Sequence, residues 1–164
     1  MINQARDPAG LVESLGELEA NGGTMRSLLE TMEALKAPLP AGYVAYRQQG
    51  GQQIPYLPWW RVAELLDHHC PGWEWSVTSI QTCGQYLVLT GRITLRTADG
   101  SISREATGCE LLDCGSYGDP VSNAEAMAFR RAAAKFGLGR SLYDKATRSA
   151  SARPVQGYPS PTRS

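Results

Sequence analysis

Three alternating runs joined by tight turns occupy the middle of the chain, and they leave few folds open. WEWSVTSIQT (73–82), QYLVLTGRITLRT (85–97) and SISREATGCE (101–110) are separated by Cys83-Gly84 and Asp99-Gly100. The first alternates Trp73, Trp75 and Val77; the second alternates Tyr86, Val88 and Thr90 and, past Gly91, Ile93 and Leu95. A period of two marks half-buried strands, and Asp-Gly is a strong hairpin signal. Two hairpins in succession make an antiparallel meander, and one face of such a sheet must be covered.

The cover is expected from the segment that follows. After a loop rich in glycine and aspartate (111–121), Ser122 reads as an N-cap, with Glu125 completing a capping box. At 3.6 residues per turn, Ala126, Phe129, Ala133 and Phe136 form a narrow apolar stripe. Arg130 flanks the stripe, while Arg131 and Lys135 point away from it. Gly137 is placed to end the helix in the left-handed conformation.

Upstream, residues 8–36 read as helix in two pieces, broken at Asn21-Gly22-Gly23. Leu11, Leu15 and Leu18 share a face in the first piece; Thr24 can cap the second, which repeats Met25, Leu28, Leu29, Met32 and Leu35. This region either packs on the chain's own core or docks on a neighbouring subunit. GYVAYRQQGGQQIPYLP (42–58) suggests an extended segment or a ribbon turning at Gly50-Gly51. Pro58 suits the first turn of the helix WWRVAELLDHH, with Val62, Leu65, Leu66 and His69 on one side. Pro71-Gly72 ends it. The tryptophans Trp59, Trp60, Trp73 and Trp75 are assigned to the core. The fold class is therefore α+β: a three-stranded meander packed by a following basic helix, with helices before it. The expected divisions are an N-terminal helical region (1–37), the β-β-β-α core (38–145) and a flexible tail (146–164) rich in Ser, Ala, Arg and Pro.

The apolar content of 42% is enough for one core, and no apolar run approaches the roughly 18 residues of a membrane span. The N-terminus, MINQARDPAG, has no basic start followed by an apolar stretch, so a cytoplasmic location is expected. Cys70, Cys83, Cys109 and Cys114 lie in unrelated segments without a CxxC pair and read as reduced thiols. His68, His69, Cys70 and Cys114 match no zinc-ligand spacing, so no metal is expected. Asp113, Cys114 and Asp119 share a loop but supply no matched base, nucleophile and orienting group, and no enzymatic activity is expected.

Formal charge is zero overall, yet residues 126–148 hold six bases and one acid, Asp144. Arg131 and Lys135 have no acidic residue four positions away, unlike a helix made soluble by ordinary charge pairing. Arg140, Lys145 and Arg148 extend the strip, and Gly137 and Gly139 permit close approach of a backbone or a phosphate. Guanidinium forks suit phosphate oxygens. The Gly-Leu-Gly follows a helix instead of opening one, so it is not a nucleotide-binding loop.

Three stretches resemble the Rad52-type family of single-strand annealing proteins, in its compact bacterial and phage branch: GYVAYRQQGGQQIPYLPWWRVAELLDHHCPGWEWSVTSI (42–80), LTGRITLRTADGS (89–101) and AFRRAAAKFGLGRSLYDK (128–145). The resemblance implies a β-β-β-α unit assembled into a homo-oligomeric ring that holds single-stranded DNA by its backbone. It implies that Arg47, Arg130 and Arg131 contact phosphates in an inner groove and that Lys145 belongs to a second, outer site. Lys135 and Arg140 join the expected DNA-binding set; position 134, an arginine in the family, is alanine here. Single-strand-binding protein or other recombination proteins are the implied further partners, with no cofactor and no membrane, and the resemblance narrows the expected cytoplasmic location to nucleoid-associated. The implied function is ATP-independent annealing of complementary strands in homologous recombination and repair. An annealer must hold phosphates while leaving base edges free, which calls for arginines without an array of stacking rings; Tyr43 and Tyr46, beside Arg47, are the exceptions. The competing readings are a non-annealing binder of duplex RNA or DNA, and a structural or regulatory subunit that has lost DNA binding.

Overall fold

The computed structural model describes residues 25–116 and 118–143. Its elements, in chain order, are α1 (Leu28–Lys36), β1 (Ala45–Gln49), β2 (Gln52–Tyr56), α2 (Trp59–His69), β3 (Glu74–Cys83), β4 (Tyr86–Thr97), β5 (Gly100–Leu111) and α3 (Pro120–Lys135). β1 and β2 form a two-stranded ribbon; β3, β4 and β5 form the antiparallel meander. The architecture is α+β, with the meander covered by α3. None of the helices among the described residues is long and apolar enough to cross a membrane.

Turn chemistry fixes both registers. Gly50 and Gly51 take positive φ (+59° and +75°), which closes β1 on β2 at Gln49 and Gln52 and pairs Arg47 with Ile54. In the meander, Cys83 pairs with Tyr86 and Thr97 with Gly100. Ala98 and Asp99 form the second turn, and Gly100 (φ +112°) carries the positive φ. The Asp99 carboxylate accepts a hydrogen bond from the Leu28 backbone N–H at 2.7 Å, and the Ala98 N–H donates to the Arg26 carbonyl at 2.9 Å. The turn therefore doubles as an anchor for α1, whose cap is Ser27 in a capping box with Glu30. Thr24 and the first helical piece lie outside the described residues. α1 sends Leu35 into the same core as α2 and α3.

The meander departs from its expected phase. Leu87, Leu89, Gly91, Ile93 and Leu95 form one unbroken buried face of β4, while Tyr86, Val88 and Thr90 lie on the other. Gly91 does not reset the alternation; it belongs to the buried face because the Trp75 ring sits where its Cβ would be, with the nearest ring carbon 2.0 Å from that position. β3 is exposed along nearly its whole length, and a register shift between Val77 and Ser79 leaves Val77 and Ile80 open to solvent.

α3 also starts earlier than expected. Its N-cap is Asp119, not Ser122, because Pro120 supplies the preset φ of the first helical position. Asp119 Oδ1 accepts from the Ser122 N–H at 2.7 Å, and that bond holds the Asp119 carboxyl below the usual carboxylate range. Glu125 closes no capping box; its Oε1 accepts from Trp75 Nε1 at 2.9 Å. The buried side of α3 comprises Ala124, Ala128, Phe129, Ala132 and Ala133, a wider stripe than the sequence suggests, and Ala126 is only partly covered. Small residues let the helix lie close to the sheet. The tightest point is Gly108 on β5, where a Cβ would stand 1.9 Å from the Ala124 carbonyl oxygen. Phe136 is fully buried just past the last turn, and Gly137 (φ +110°) then ends the helix, as expected.

Substituting Gly108 with alanine should force α3 off the sheet. Overpacking of this kind costs about 1–3 kcal/mol, which corresponds to a drop of several degrees in melting temperature. A thermal melt followed by circular dichroism tests it. A midpoint within about 1 °C of the parent would mean that α3 and β5 are not in contact here.

Candidate nucleic-acid interface

The register of the ribbon decides what faces α3. Arg47 pairs with Ile54 and Ala45 with Tyr56, so Arg47, Ile54 and Tyr56 share a face and Tyr46 lies on the opposite one. Leu57, buried just past β2, fixes the ribbon to the core, and its Cδ2 lies 3.5 Å from where a Cβ on Gly139 would stand. The Arg47 guanidinium carbon lies 5.9 Å from the Tyr56 ring centroid. The Arg130 guanidinium carbon, arriving from α3, lies 5.8 Å from the same centroid. Cation–π attraction to one ring thus holds two like charges near each other.

These groups line a cavity of about 260 Å³ together with Met127, Arg131 and Tyr143. A second, open depression of about 420 Å³ continues along α3 past Thr107, Lys135 and Arg140, sharing Arg131 and Tyr143 with the first. Arg47, Arg130, Arg131, Lys135 and Arg140 therefore form one track. Among the described residues none of the five pairs with a carboxylate; the ion pairs are Lys36–Glu33, Arg61–Glu64, Arg92–Glu105 and Arg96–Glu74. Arg130 is half-buried. That burial, aided by the neighbouring Arg47 and Arg131, draws its pKa below the ordinary arginine value, against the opposing pull of Tyr143 and Tyr56. A cation so placed is short of solvation and, among the described residues, of a carboxylate partner.

The other three cations of α3 and its end have partners that the sequence does not reveal. Arg131 Nη1 donates to the Thr107 carbonyl at 2.9 Å, and Lys135 Nζ donates to the Glu105 carbonyl. They do not simply point away from the apolar stripe; they lean onto β5, an outer strand of the meander, and occupy carbonyls two residues apart. Arg140 Nε and Nη2 donate to the Ala134 and Lys135 carbonyls, both at 3.1 Å, closing the end of α3. Each guanidinium keeps further N–H groups for a ligand. Lys145 lies outside the described residues.

Tyr56 belongs to the site although residue type alone does not single it out. The signal for it lies in the two-residue turn at Gly50-Gly51, which places it on the face of Arg47. Tyr43 is instead engaged by Arg61, whose guanidinium carbon is 4.5 Å from its ring centroid, and Tyr46 is 63% exposed. Trp59 and Trp60, expected in the core, are 51% and 49% exposed, because the buried side of α2 is completed by Val62, Leu65 and Leu66. No group of three His, Cys, Asp or Glu side chains among the described residues could hold a metal ion. Cys70 is buried, and burial pushes its thiol pKa up to about 11.

A family model for "Rad52/22 family double-strand break repair protein" matches residues 28–156, a span that includes every element from α1 to α3. The chain is similar to DNA repair RAD52-like protein 1, mitochondrial, of Arabidopsis thaliana, at 40% identity over 123 residues, 74% of this chain and 70% of that protein. It is also similar to DNA repair RAD52-like protein 2, chloroplastic, of the same plant, at 30% identity over 137 residues, 80% of this chain and 68% of that protein.

Replacing Arg140 with alanine frees two carbonyls at the end of α3. The expected cost is about 1–2 kcal/mol, read as an earlier midpoint in a urea melt. An unchanged midpoint would show that the guanidinium does not cap the helix in solution.

Proposed function

Because the chain belongs to the Rad52/22 family of double-strand break repair proteins, we propose that it binds single-stranded DNA along the α3 track and anneals complementary strands. The observation that carries this reading is the meeting of Arg47 and Arg130 at the Tyr56 ring without an acidic partner among the described residues. Two crowded guanidinium groups gain most from an anion that both can share, and a phosphate diester fits that need. Arg47 and Arg130 are accordingly the primary contacts. Arg131 follows with its spare donors, and Lys135 and Arg140 extend the track. The resemblance adds Lys145.

Annealing requires that bound bases remain available. The Tyr56 ring is already engaged by two guanidinium groups, and none of the four tryptophans lines the track. Tyr143 borders both depressions, but a single ring is not the array of platforms of a protein that sequesters bases, so the strand is held by its backbone. Each chain offers few contacts and has zero net formal charge, so affinity comes from repetition. A homo-oligomeric ring supplies it by lining up many short tracks. Base pairing between the two strands drives the reaction, so neither nucleotide hydrolysis nor a metal enters the mechanism. The location we propose is the nucleoid of the cytoplasm.

The test combines binding, salt dependence and annealing. Arg47→Glu with Arg130→Glu should lower affinity for a thymidine oligonucleotide at least tenfold in a gel shift and abolish accelerated annealing. Arg130→Gln should flatten the plot of log K against log salt by about 0.7 for each phosphate that is no longer neutralised. Unchanged affinity in the double variant, or tighter binding to duplex than to single strands, would overturn the assignment.

A further inference from the structure

The opposite flank of α3 holds a second cavity, and its chemistry is the reverse of the track. It encloses about 270 Å³ between α2, β3 and α3, with Trp59, Trp73, Trp75 and Phe129 as walls and Glu125 and Ser122 at the α3 side. No arginine or lysine lines it. The volume lies just below the roughly 300–1,000 Å³ of small-molecule sites and suits a single side chain.

Its rings are held in place. Trp75 stands edge-on to Phe129, with centroids 5.0 Å apart and planes at 74°, and Trp73 lies 5.5 Å from Phe129. Each of these two indoles spends its N–H on a carboxylate: Trp75 on Glu125 at 2.9 Å and Trp73 on Asp67 at 2.7 Å. Neither carboxylate has a cationic partner in the ion pairs of the described residues. Glu125 Oε1 serves Trp75, which leaves Oε2 for an incoming donor. Trp59, which lines the cavity, is half-exposed, and its ring meets that of half-exposed Trp60 edge-on, with centroids 6.0 Å apart.

We propose that this cavity receives an arginine side chain from a partner protein. Indole faces attract cations, tryptophan most strongly of the aromatic residues, and the pinned rings require no reorganisation to do so. The unpaired carboxylate in the wall complements a guanidinium, which donates through a fork while its plane stacks on the rings. A lysine ammonium can satisfy the charge but not the stacking. Half-exposed Trp59 in the wall, with Trp60 against it, offers apolar surface beside such an anchor, as at an interface hot spot. The track and the cavity use different faces of α3: Met127, Arg130 and Arg131 on one, Ser122, Glu125, Ala126 and Phe129 on the other. A chain can therefore hold a nucleic-acid strand and a basic partner at once.

Fluorescence anisotropy on the full chain tests this with a fluorescein-labelled Gly/Ser peptide bearing one central arginine, and with its lysine and citrulline counterparts. The arginine peptide should bind at least about fivefold more tightly than the lysine peptide, and more tightly still than the citrulline one. Trp59→Ala and Glu125→Gln should each weaken it about fivefold while leaving oligonucleotide affinity unchanged. The amide oxygen introduced by Glu125→Gln can still accept the Trp75 bond, so the fold is preserved. Equal binding of the citrulline peptide, or no effect of either variant, would overturn the proposal. Competition by a thymidine oligonucleotide, with weaker oligonucleotide binding in Trp59→Ala, would identify the occupant as a base. A change of oligomer size in that variant by sedimentation would identify it as a second copy of this chain. Either result would also overturn the proposal.

Discussion

The close contact between α3 and β5 determines where the side chains of α3 end up. At Gly108 the helix backbone occupies the space of a missing Cβ, with the Ala124 carbonyl oxygen 1.9 Å from that position. Alanines at 124, 128, 132 and 133 keep the helix low along the rest of the sheet. Three consequences follow from that one approach. Arg131 and Lys135 come within reach of β5 carbonyls, Arg130 is carried toward the β1–β2 ribbon, and Glu125 meets the Trp75 indole. A bulkier contact would move all of them together, because they are rigidly linked by one helix.

The cations on this helix are not interchangeable. Arg130 is half-buried between aromatic and apolar neighbours and meets no carboxylate among the described residues, and for that reason it is a primary contact in the proposed function. Arg131 and Lys135 stabilise an outer strand by occupying its carbonyls, which also blunts a sheet edge that could otherwise recruit another strand. Arg140 completes the helix terminus. A protein with zero net formal charge can thus maintain a positive track, because the acids that balance it lie elsewhere and fields beyond about 8–10 Å are screened.

The sheet and the elements before it are legible in the sequence because turn glycines and period-two alternation are local signals. The phase of β4 is not: Gly91 reads as a break, although it is the member of the buried face that makes room for Trp75. The start of α3 is misleading because Ser122 with Glu125 imitates a capping box, whereas Asp119 followed by Pro120 is the better pair. Arg47, Arg130 and Arg131 stand out by residue type and resemblance, and they do converge on one cavity. Tyr56, which brings two of them together, does not, because cation–π geometry between a ribbon and a helix is a tertiary property. The exposure of Trp59 and Trp60 is hidden for a related reason: helical spacing gives the direction of a side chain but not where the core ends.

The tryptophans are kept off the face of α3 that carries the arginines, and this separation is a physical requirement of the proposed reaction. Exposed indoles beside the arginine track would stack bases at about 1–3 kcal/mol each and would hold a strand in a form that cannot pair. Here Trp59, Trp73 and Trp75 line a cavity with Phe129, apart from the one that holds Arg130, and two of them are tied to carboxylates. The Glu125 carboxylate in that cavity disfavours phosphate, so in the proposed reading the strand keeps to the arginine face. One amphipathic helix with two differently charged flanks can in this way keep a nucleic acid and a protein partner on separate surfaces without a second domain.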